Sequence, residues 1–257
     1  MSLAAMLWAA GAQAADAWRY ALTPYVWLPS VNGKLRFDIP PGSGGSPNVE
    51  SGPNDYLENM NFAMMLAGEA RRGRWSLMGD LIYLDSSNEK TRTISVNLPG
   101  GGSVPVADAG TETSMTGKLI TLAPGYSLLD TPGARMDVFG GVRYMAIDAK
   151  VDWRITAPVG AFPQSGAMEQ DKDIVDGIVG VRGRLRLGDG RWSMPYYLDV
   201  GAGTSQLTYQ ASLGLSYGYA WGELALAYRH LSYDFGDEKL LDNVSFSGPA
   251  VGATFDF

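Results

Sequence analysis

Eight charged residues lie on the polar face of otherwise apolar segments, and they are the first candidates for chemistry. Four are acidic and four are basic: Asp80, Arg143, Asp176, Arg182, Arg184, Asp199, Glu223 and Arg229. Side chains of opposite sign can neutralise one another as ion pairs, or they can line the acidic and basic walls of a path for ions or small solutes. Which of the two applies depends on the elements that carry these residues.

Catalytic chemistry has little support in the composition. The chain has no cysteine and one histidine, His230, and serine-type nucleophilic catalysis usually needs a histidine beside the nucleophile. In an extended strand, every second side chain lies on the same face, so His230 lies on the face of Leu224, Leu226 and Tyr228. It is therefore predicted to have apolar surroundings. We therefore expect no enzyme and no metal or cofactor site. A net charge of -7 argues against a nucleic-acid partner, which would require a basic surface.

Alternation with a period of two residues is the strongest pattern in the sequence. In Trp192–Ala202 and in Gln206–Tyr217, one face is apolar or aromatic over its whole length, while the other is mostly polar or small. A strand of a transmembrane β-barrel needs about 9–11 residues and alternates in this way. The chain has no apolar run of the ~18 residues that a transmembrane helix requires. The pattern therefore predicts a closed, antiparallel, up-and-down transmembrane β-barrel.

The same alternation predicts about ten strands, an even number as bacterial barrels have. Their expected ranges are Trp18–Leu28, Phe62–Arg71, Trp75–Leu84, Thr113–Tyr126, Met136–Asp148, Asp173–Leu187, Trp192–Gly203, Ser205–Gly218, Glu223–Phe235 and Asn243–Phe257. Short periplasmic turns are expected to alternate with long external loops, of which the longest are Pro29–Asn61, Asp85–Glu112 and Ala149–Lys172. Thr91–Val106 has β character around a glycine run, so two strands are expected to extend above the membrane.

The N-terminal segment predicts export. Leu3–Ala10 is apolar, and Ala12-Gln13-Ala14 fits the small-x-small rule for signal-peptide cleavage. We expect a residual signal peptide over residues 1–14 and a single barrel domain over residues 15–257. With ten strands, both chain termini are expected on the periplasmic side.

Strand parity also predicts which charged residues face the lumen. A charge that faces lipid at mid-membrane costs about 2–4 kcal/mol, so the eight candidates are expected to point inward, together with Arg19, Glu69, Asp137 and Asp256. Folding two strands about the turn near Gly188 places Arg182 opposite Tyr197, with Asp199 next along the inner face, and predicts a diagonal contact between Arg182 and Asp199. Barrels of about ten strands are narrow or filled by side chains.

Several segments together resemble a large family of proteobacterial outer-membrane proteins. The resemblance covers nearly all of the mature chain and rests on Trp18–Pro29, Glu69–Trp75, Gly79–Leu84, Gly140–Tyr144, Val175–Arg182, Ala227–Phe235 and Gly248-Pro249. It implies a barrel fold, a location in the Gram-negative outer membrane, and recognition of the C-terminal strand ending at Phe257 by the barrel-insertion machinery. It implies no activity for individual residues.

Three functions are compatible with these observations. The leading hypothesis is a narrow, porin-like channel that transports ions or small polar solutes along the charged inner face. The alternative is a non-conducting structural or adhesion barrel in which the same charges plug the lumen. An outer-membrane hydrolase ranks third. In each case the expected partners are outer-membrane lipids and lipopolysaccharide.

Overall fold

The structure, a computed structural model, consists almost entirely of β-strands. It describes residues 17–35, 48–53, 57, 60–97, 103–156, 164–236 and 241–257; the expected signal segment over residues 1–14 lies outside them. The strands are β1 (Arg19–Trp27), β2 (Ser30–Leu35), β3 (Asn48–Ser51), β4 (Met60–Arg72), β5 (Trp75–Asn97), β6 (Ser103–Asp130), β7 (Ala134–Thr156), β8 (Gln164–Arg186), β9 (Trp192–Gly203), β10 (Leu207–Gly218), β11 (Gly222–Asp234) and β12 (Leu241–Asp256).

Ten of these strands close into an antiparallel barrel. The ring runs β1-β4-β5-β6-β7-β8-β9-β10-β11-β12 and returns to β1, where Leu22 lies opposite Phe255 and Val26 opposite Val251. The main chains of Tyr20 and Phe257 exchange two further hydrogen bonds beyond this register. The predicted fold class and strand number are confirmed, because each predicted strand corresponds to one strand of the ring.

Two short strands were not predicted. After Trp27 the chain is interrupted at Leu28-Pro29 and continues as β2, which pairs with the first half of β12, and β3 pairs in turn with β2. A proline has no backbone N–H for a strand ladder, so the break at Pro29 separates β1 from β2. The predicted loop Pro29–Asn61 is therefore partly strand.

The barrel has two unlike ends. The turn end carries the tight turns at Gly73 and Gly188, which have positive φ values of 56° and 65°, together with Phe257. At the opposite, extended end, β5 to β8 continue as long hairpins; they contain 23, 28, 23 and 23 residues. The expectation of strands extending around the glycine run is confirmed for residues 91–97 and 103–106. The loops predicted over Asp85–Glu112 and Ala149–Lys172 are wrong for most of their length, because the ladder continues through them.

The outer surface of the barrel is apolar. Outward side chains such as Leu198, Val179 and Tyr228 are 57%, 61% and 58% exposed, which is the surface that a barrel presents to lipid. At the turn end the band finishes in exposed aromatic rings, Trp18, Trp75, Trp192 and Trp221, as expected for an interfacial girdle. No helix in the described part of the chain is long and apolar enough to span a bilayer.

Candidate functional site

The inner face of the barrel carries the candidate functional residues. The structure places all eight sequence-derived candidates on this face: Asp80, Arg143, Asp176, Arg182, Arg184, Asp199, Glu223 and Arg229. They do not form one continuous row. They divide into three polar groups and one separate ion pair, and an apolar layer lies on the extended-end side of all of them.

The first group lies near the turn end. Arg71 is buried and forms an ion pair with Asp137; its Nε donates to Oε1 of Glu69 at 2.7 Å, and its Nη1 donates to Oγ of Ser127 at 2.6 Å. Arg182 joins the group through Nη2, which lies 2.8 Å from Oε2 of Glu69 and 3.7 Å from Asp137. Arg71 ends the predicted strand Phe62–Arg71 and was missed as a lumenal residue, although it lies on the same strand face as Glu69.

A separate ion pair, outside the first group, crosses the lumen at the same end. Nη1 of Arg184 on β8 donates to Oε2 of Glu223 on β11 at 2.5 Å. The Arg184 side chain is 48% exposed, so solvent screens this pair and its contribution to stability is small.

The central group contains an ion pair that is completely buried. Arg143 pairs with both carboxylate oxygens of Asp199, with Nη1 at 3.1 Å from Oδ1, and both side chains are 0% exposed. Asp176 lies directly opposite Arg143 in the β7–β8 ladder, yet its carboxylate accepts from the backbone N–H and hydroxyl of Ser205 at 2.9 and 2.7 Å.

The predicted contact between Arg182 and Asp199 is wrong. The predicted register is correct, since Arg182 lies opposite Tyr197. However, Arg182 turns toward Glu69 at the turn end, while Asp199 is occupied by Arg143. Gly180 is the residue directly opposite Asp199, and it contributes no side chain at that position, so the guanidinium that meets Asp199 comes from β7.

The third group is built around Arg229. Its Nη2 donates to Asp80 and to Gln210, both at 2.9 Å, and its Nη1 donates to the hydroxyl of Tyr25 at 3.1 Å. The Tyr25 hydroxyl in turn donates to Asp80 at 2.5 Å. The guanidinium also lies 4.7 Å from the centre of the Trp27 ring, a distance at which the cation is attracted to the aromatic face.

An apolar plug fills the lumen on the extended-end side of these charges. On β7, β8 and β11, the residues two positions farther from the turn end than Arg143, Asp176 and Arg229 are all apolar and buried. The plug consists of Trp27, Ile82, Leu119, Met145, Ile174, Leu231, Tyr233, Phe235 and Val244. The plug was not predicted, although its residues lie on the same strand faces as the lumenal charges.

Two of the cavities on the turn-end side of the plug extend along the inner face of the barrel. The outer cavity, at the turn end, has a volume of about 320 Å³, and the deep cavity, beside Arg229 and Asp80, has a volume of about 270 Å³. Both are lined by Arg182 and Tyr197. The lumen therefore keeps open space on the turn-end side, beside a second buried apolar cluster of Met78, Ala123, Phe139 and Ile178, and it is filled on the other side.

His230 faces outward, as its parity predicts. Its Nδ1 lies 2.6 Å from Oγ of Ser247, and its Nε2 lies 3.2 Å from the hydroxyl of Tyr209. Among the described residues, no three histidine, aspartate or glutamate side chains are grouped closely enough to hold a metal ion.

The comparisons with known proteins bear on the fold. No family model and no curated protein matches the chain. Among solved structures, it is similar to the outer membrane protease OmpT from Escherichia coli, with 12% identity, coverage of 94% of this chain and 97% of that one, and a TM-score of 0.54. This chain has the fold of the outer-membrane β-barrel proteins.

The chain is less similar to two further solved structures. The translocator domain of the autotransporter NalP from Neisseria meningitidis is 14% identical, with coverage of 98% and 96% and a TM-score of 0.43. The attachment invasion locus protein Ail of Yersinia pestis is 10% identical, with coverage of 94% and 99% and a TM-score of 0.33. At 12% identity, the similarity to OmpT shows the fold alone.

Proposed function

We propose that this protein is an integral outer-membrane barrel that is closed to ions and solutes and serves as a structural support for its extended end. The observation that carries the proposal is the layer formed by the Arg143–Asp199 pair and the apolar plug. Both charged side chains are 0% exposed, and the plug residues Ile174, Leu231 and Tyr233 are at most 1% exposed. A path for hydrated ions requires side chains that water can reach. The side chains of this layer are not accessible to water.

The orientation follows from the lengths of the connections. Outer-membrane barrels have short periplasmic turns and long external segments, so we place the turn end and Phe257 in the periplasm. The apolar outer band then contacts outer-membrane lipids and lipopolysaccharide. Phe257 is 76% exposed, which suits recognition of the C-terminal strand by the barrel-insertion machinery.

The extended end provides the surface that the barrel supports. Each of β5 to β8 contains at least 23 residues, whereas about 9–11 suffice to cross the membrane. At about 3.3 Å per residue, the excess carries these four strands well beyond the lipid. A paired sheet holds its backbone more rigidly than loops of the same length, and this rigidity favours a contact surface outside the cell.

The conductance of planar bilayers tests the closed lumen. The refolded wild-type protein is expected to produce no discrete steps at high salt. The double variant Tyr233→Ala/Phe235→Ala removes two stacked rings of the plug, whose centres lie 6.3 Å apart, and is expected to produce discrete steps because water can then reach the central charges. The variant Leu198→Ala, which changes an outward-facing side chain, serves as the matched control and should produce no conductance steps.

Discrete conductance steps from the wild-type protein would show that the lumen is open and would favour the channel hypothesis. If neither the wild type nor the plug variant produces conductance steps, the charged groups alone close the lumen. In that case the Arg143–Asp199 pair, rather than the plug, would be the barrier.

One contact favours a second candidate function, hydrolysis of lipid esters at the outer surface. In the tautomer of His230 protonated on Nε2, Nδ1 accepts the Ser247 proton and Nε2–H donates to Tyr209, an arrangement of nucleophile, base and orienting group. This candidate predicts cleavage of a chromogenic acyl ester in mixed micelles that is abolished by Ser247→Ala and retained by Ser245→Ala. A wild-type protein without Ser247-dependent cleavage eliminates it.

A further inference from the structure

A further cavity, the mouth cavity, lies among three turns at the turn end of the barrel. It has a volume of about 420 Å³ and is lined by the turn from β6 to β7, the turn from β8 to β9 and the turn from β10 to β11. Main-chain hydrogen bonds join these turns: the N–H of Arg186 donates to the carbonyl oxygen of Gly133 at 2.8 Å, and the N–H of Gly218 donates to that of Arg191 at 2.9 Å. The wall of the cavity is therefore fixed before any ligand arrives.

The mouth cavity has an excess of positive charge even after its ion pairs are discounted. Four basic and two acidic side chains line it: Asp130, Arg135, Arg184, Arg186, Arg191 and Glu223. Two ion pairs cancel four of these charges, Arg135 with Asp130 at 3.2 Å and Arg184 with Glu223 at 2.5 Å. The other two arginines form no ion pair within the described part of the chain. The cavity therefore keeps two uncompensated positive charges.

The two uncompensated arginines, Arg186 and Arg191, are accessible to a ligand. Both are exposed residues, and both line the cavity. Nε of Arg186 donates to the carbonyl oxygen of Gly190 at 3.2 Å, which holds its guanidinium beside the turn that carries Arg191. Asp189 belongs to the same turn and is exposed, but it does not line the cavity. The remaining donors of both arginines are therefore available for binding.

The chemistry of two guanidinium groups selects a doubly negative ligand. A guanidinium only donates hydrogen bonds, and its planar fork matches the oxygens of a phosphate in a bidentate geometry. A phosphate monoester carries a charge of about −1.5 to −2 at neutral pH and has three strong acceptor oxygens. It therefore balances both uncompensated arginines, whereas a single carboxylate balances one of them.

The size of the mouth cavity leaves room for more than a phosphate group. Its volume of about 420 Å³ equals that of about fourteen water molecules in the liquid and lies within the ~300–1,000 Å³ of small-molecule sites. Between the charged groups, the lining consists of small residues such as Pro132, Gly133, Ala134, Gly218 and Ala220. The phosphate therefore determines recognition, and the wall accommodates a small organic body attached to it.

We propose that the mouth cavity binds a phosphate monoester, whose phosphate oxygens accept hydrogen bonds from Arg186 and Arg191. The ester reaches the site from the turn end without passing the lumenal charges or the apolar plug, so the site goes beyond the proposed closed barrel. Two sources present the same chemical group there. One is a soluble ester, and the other is the headgroup of phosphatidic acid in the adjacent leaflet, at the level of the exposed ring of Trp192.

Calorimetric titration of the refolded full-length protein tests the site, in micelles of a non-ionic detergent, at low salt and in a phosphate-free buffer. Glycerol 3-phosphate is the soluble probe and is expected to bind saturably, whereas glycerol, which lacks the phosphate, should not bind. Binding of the phosphate should weaken as salt is added, because ions screen charges at exposed arginines. Phosphatidic acid is titrated in the same way as mixed micelles, with phosphatidylcholine as its control.

The two probes distinguish the two sources of the phosphate. Displacement of glycerol 3-phosphate by phosphatidic acid, and not by phosphatidylcholine, would assign the site to a lipid headgroup. Binding of glycerol 3-phosphate that phosphatidic acid leaves unchanged would assign it to a soluble ester. If the folded barrel binds neither probe saturably, the proposal is wrong.

Variants at the turn end locate the binding. Arg186→Gln and Arg191→Gln each remove one uncompensated charge and are expected to weaken binding about tenfold, and the double variant should abolish it. Arg74→Gln is the matched control, because Arg74 is exposed at the same end, between β4 and β5, but does not line the mouth cavity. Gel mobility of unheated samples verifies that each variant is folded.

Two outcomes for the variants would overturn the proposal. Equal weakening by Arg74→Gln would show general attraction of anions to the turn end, and unchanged binding by the double variant would place the phosphate elsewhere. Conductance steps from the wild type would overturn the closed lumen and leave this titration unaffected, since the mouth cavity lies outside the plug.

Discussion

Replacing Arg143 with methionine is expected to destabilise the barrel by about 3–5 kcal/mol, because the change leaves the Asp199 carboxylate buried without a partner. Both side chains of the pair are 0% exposed, so water cannot solvate the remaining charge. Urea titration of folding into lipid vesicles, followed by tryptophan fluorescence, measures the loss. Gel mobility of unheated samples reports how much protein is folded at each step.

The double variant Arg143→Met/Asp199→Leu separates the charge from the packing. Replacing a whole buried pair with apolar residues of similar volume is often neutral or stabilising, so the double variant should recover most of the loss. Arg184→Met serves as the matched control: its side chain is 48% exposed, and the expected cost is at most about 1 kcal/mol. A loss of that small size for Arg143→Met, or a double variant no more stable than the single, would show that the pair is not the buried element described.

Gly180→Ala is expected to cost about 3 kcal/mol, at the upper end of the usual range for overpacking. A Cβ atom at Gly180 would lie 2.2 Å from the carbonyl oxygen of Leu198, 2.6 Å from Cζ of Phe139 and 2.8 Å from Cβ of Asp199. Leu198 belongs to the neighbouring strand β9, and its main-chain oxygen cannot move without separating β8 from β9. The same urea titration measures the effect.

Gly117→Ala is the matched control on β6. A Cβ atom at Gly117 meets no atom within 4 Å, so alanine there should be neutral or stabilise by up to about 1 kcal/mol through the unfolded chain. Equal effects of the two substitutions would mean that the close approach of β8 and β9 at Gly180 is not a constraint on the barrel.

Strand parity could be predicted from the sequence with good accuracy inside the membrane. Trp192–Gly203 was predicted with the bounds that the structure shows, and Arg182 was predicted opposite Tyr197, as it is. The prediction was wrong for residues 85–90 and 107–112, which were expected to be loop and form strands, whereas the strands expected around the glycine run are confirmed. Lipid imposes the alternation, so the signal ends where the contact with lipid is expected to end.

The choice of partner for each lumenal charge could not be predicted in this way. Parity places Arg143 inside, but its ladder neighbour is Asp176, and the carboxylate that it contacts is Asp199, on a strand one farther around the ring. Similarly, Arg182 pairs with Glu69 on β4, which no local pattern connects to β8. The apolar plug has the same parity as the charges, so alternation alone does not separate filled from hollow parts of the lumen.

The alternation of residue types along the chain is enough to tell which side chains face inward, because the pleat of a strand fixes the face of every second residue. The pairing of the inward charges, the closure of one side by the plug and the cavities on the other side follow from the three-dimensional packing of the ring. Those features depend on closure, tilt and stagger of the ring, which bring long side chains from non-adjacent strands to the same level of a narrow lumen.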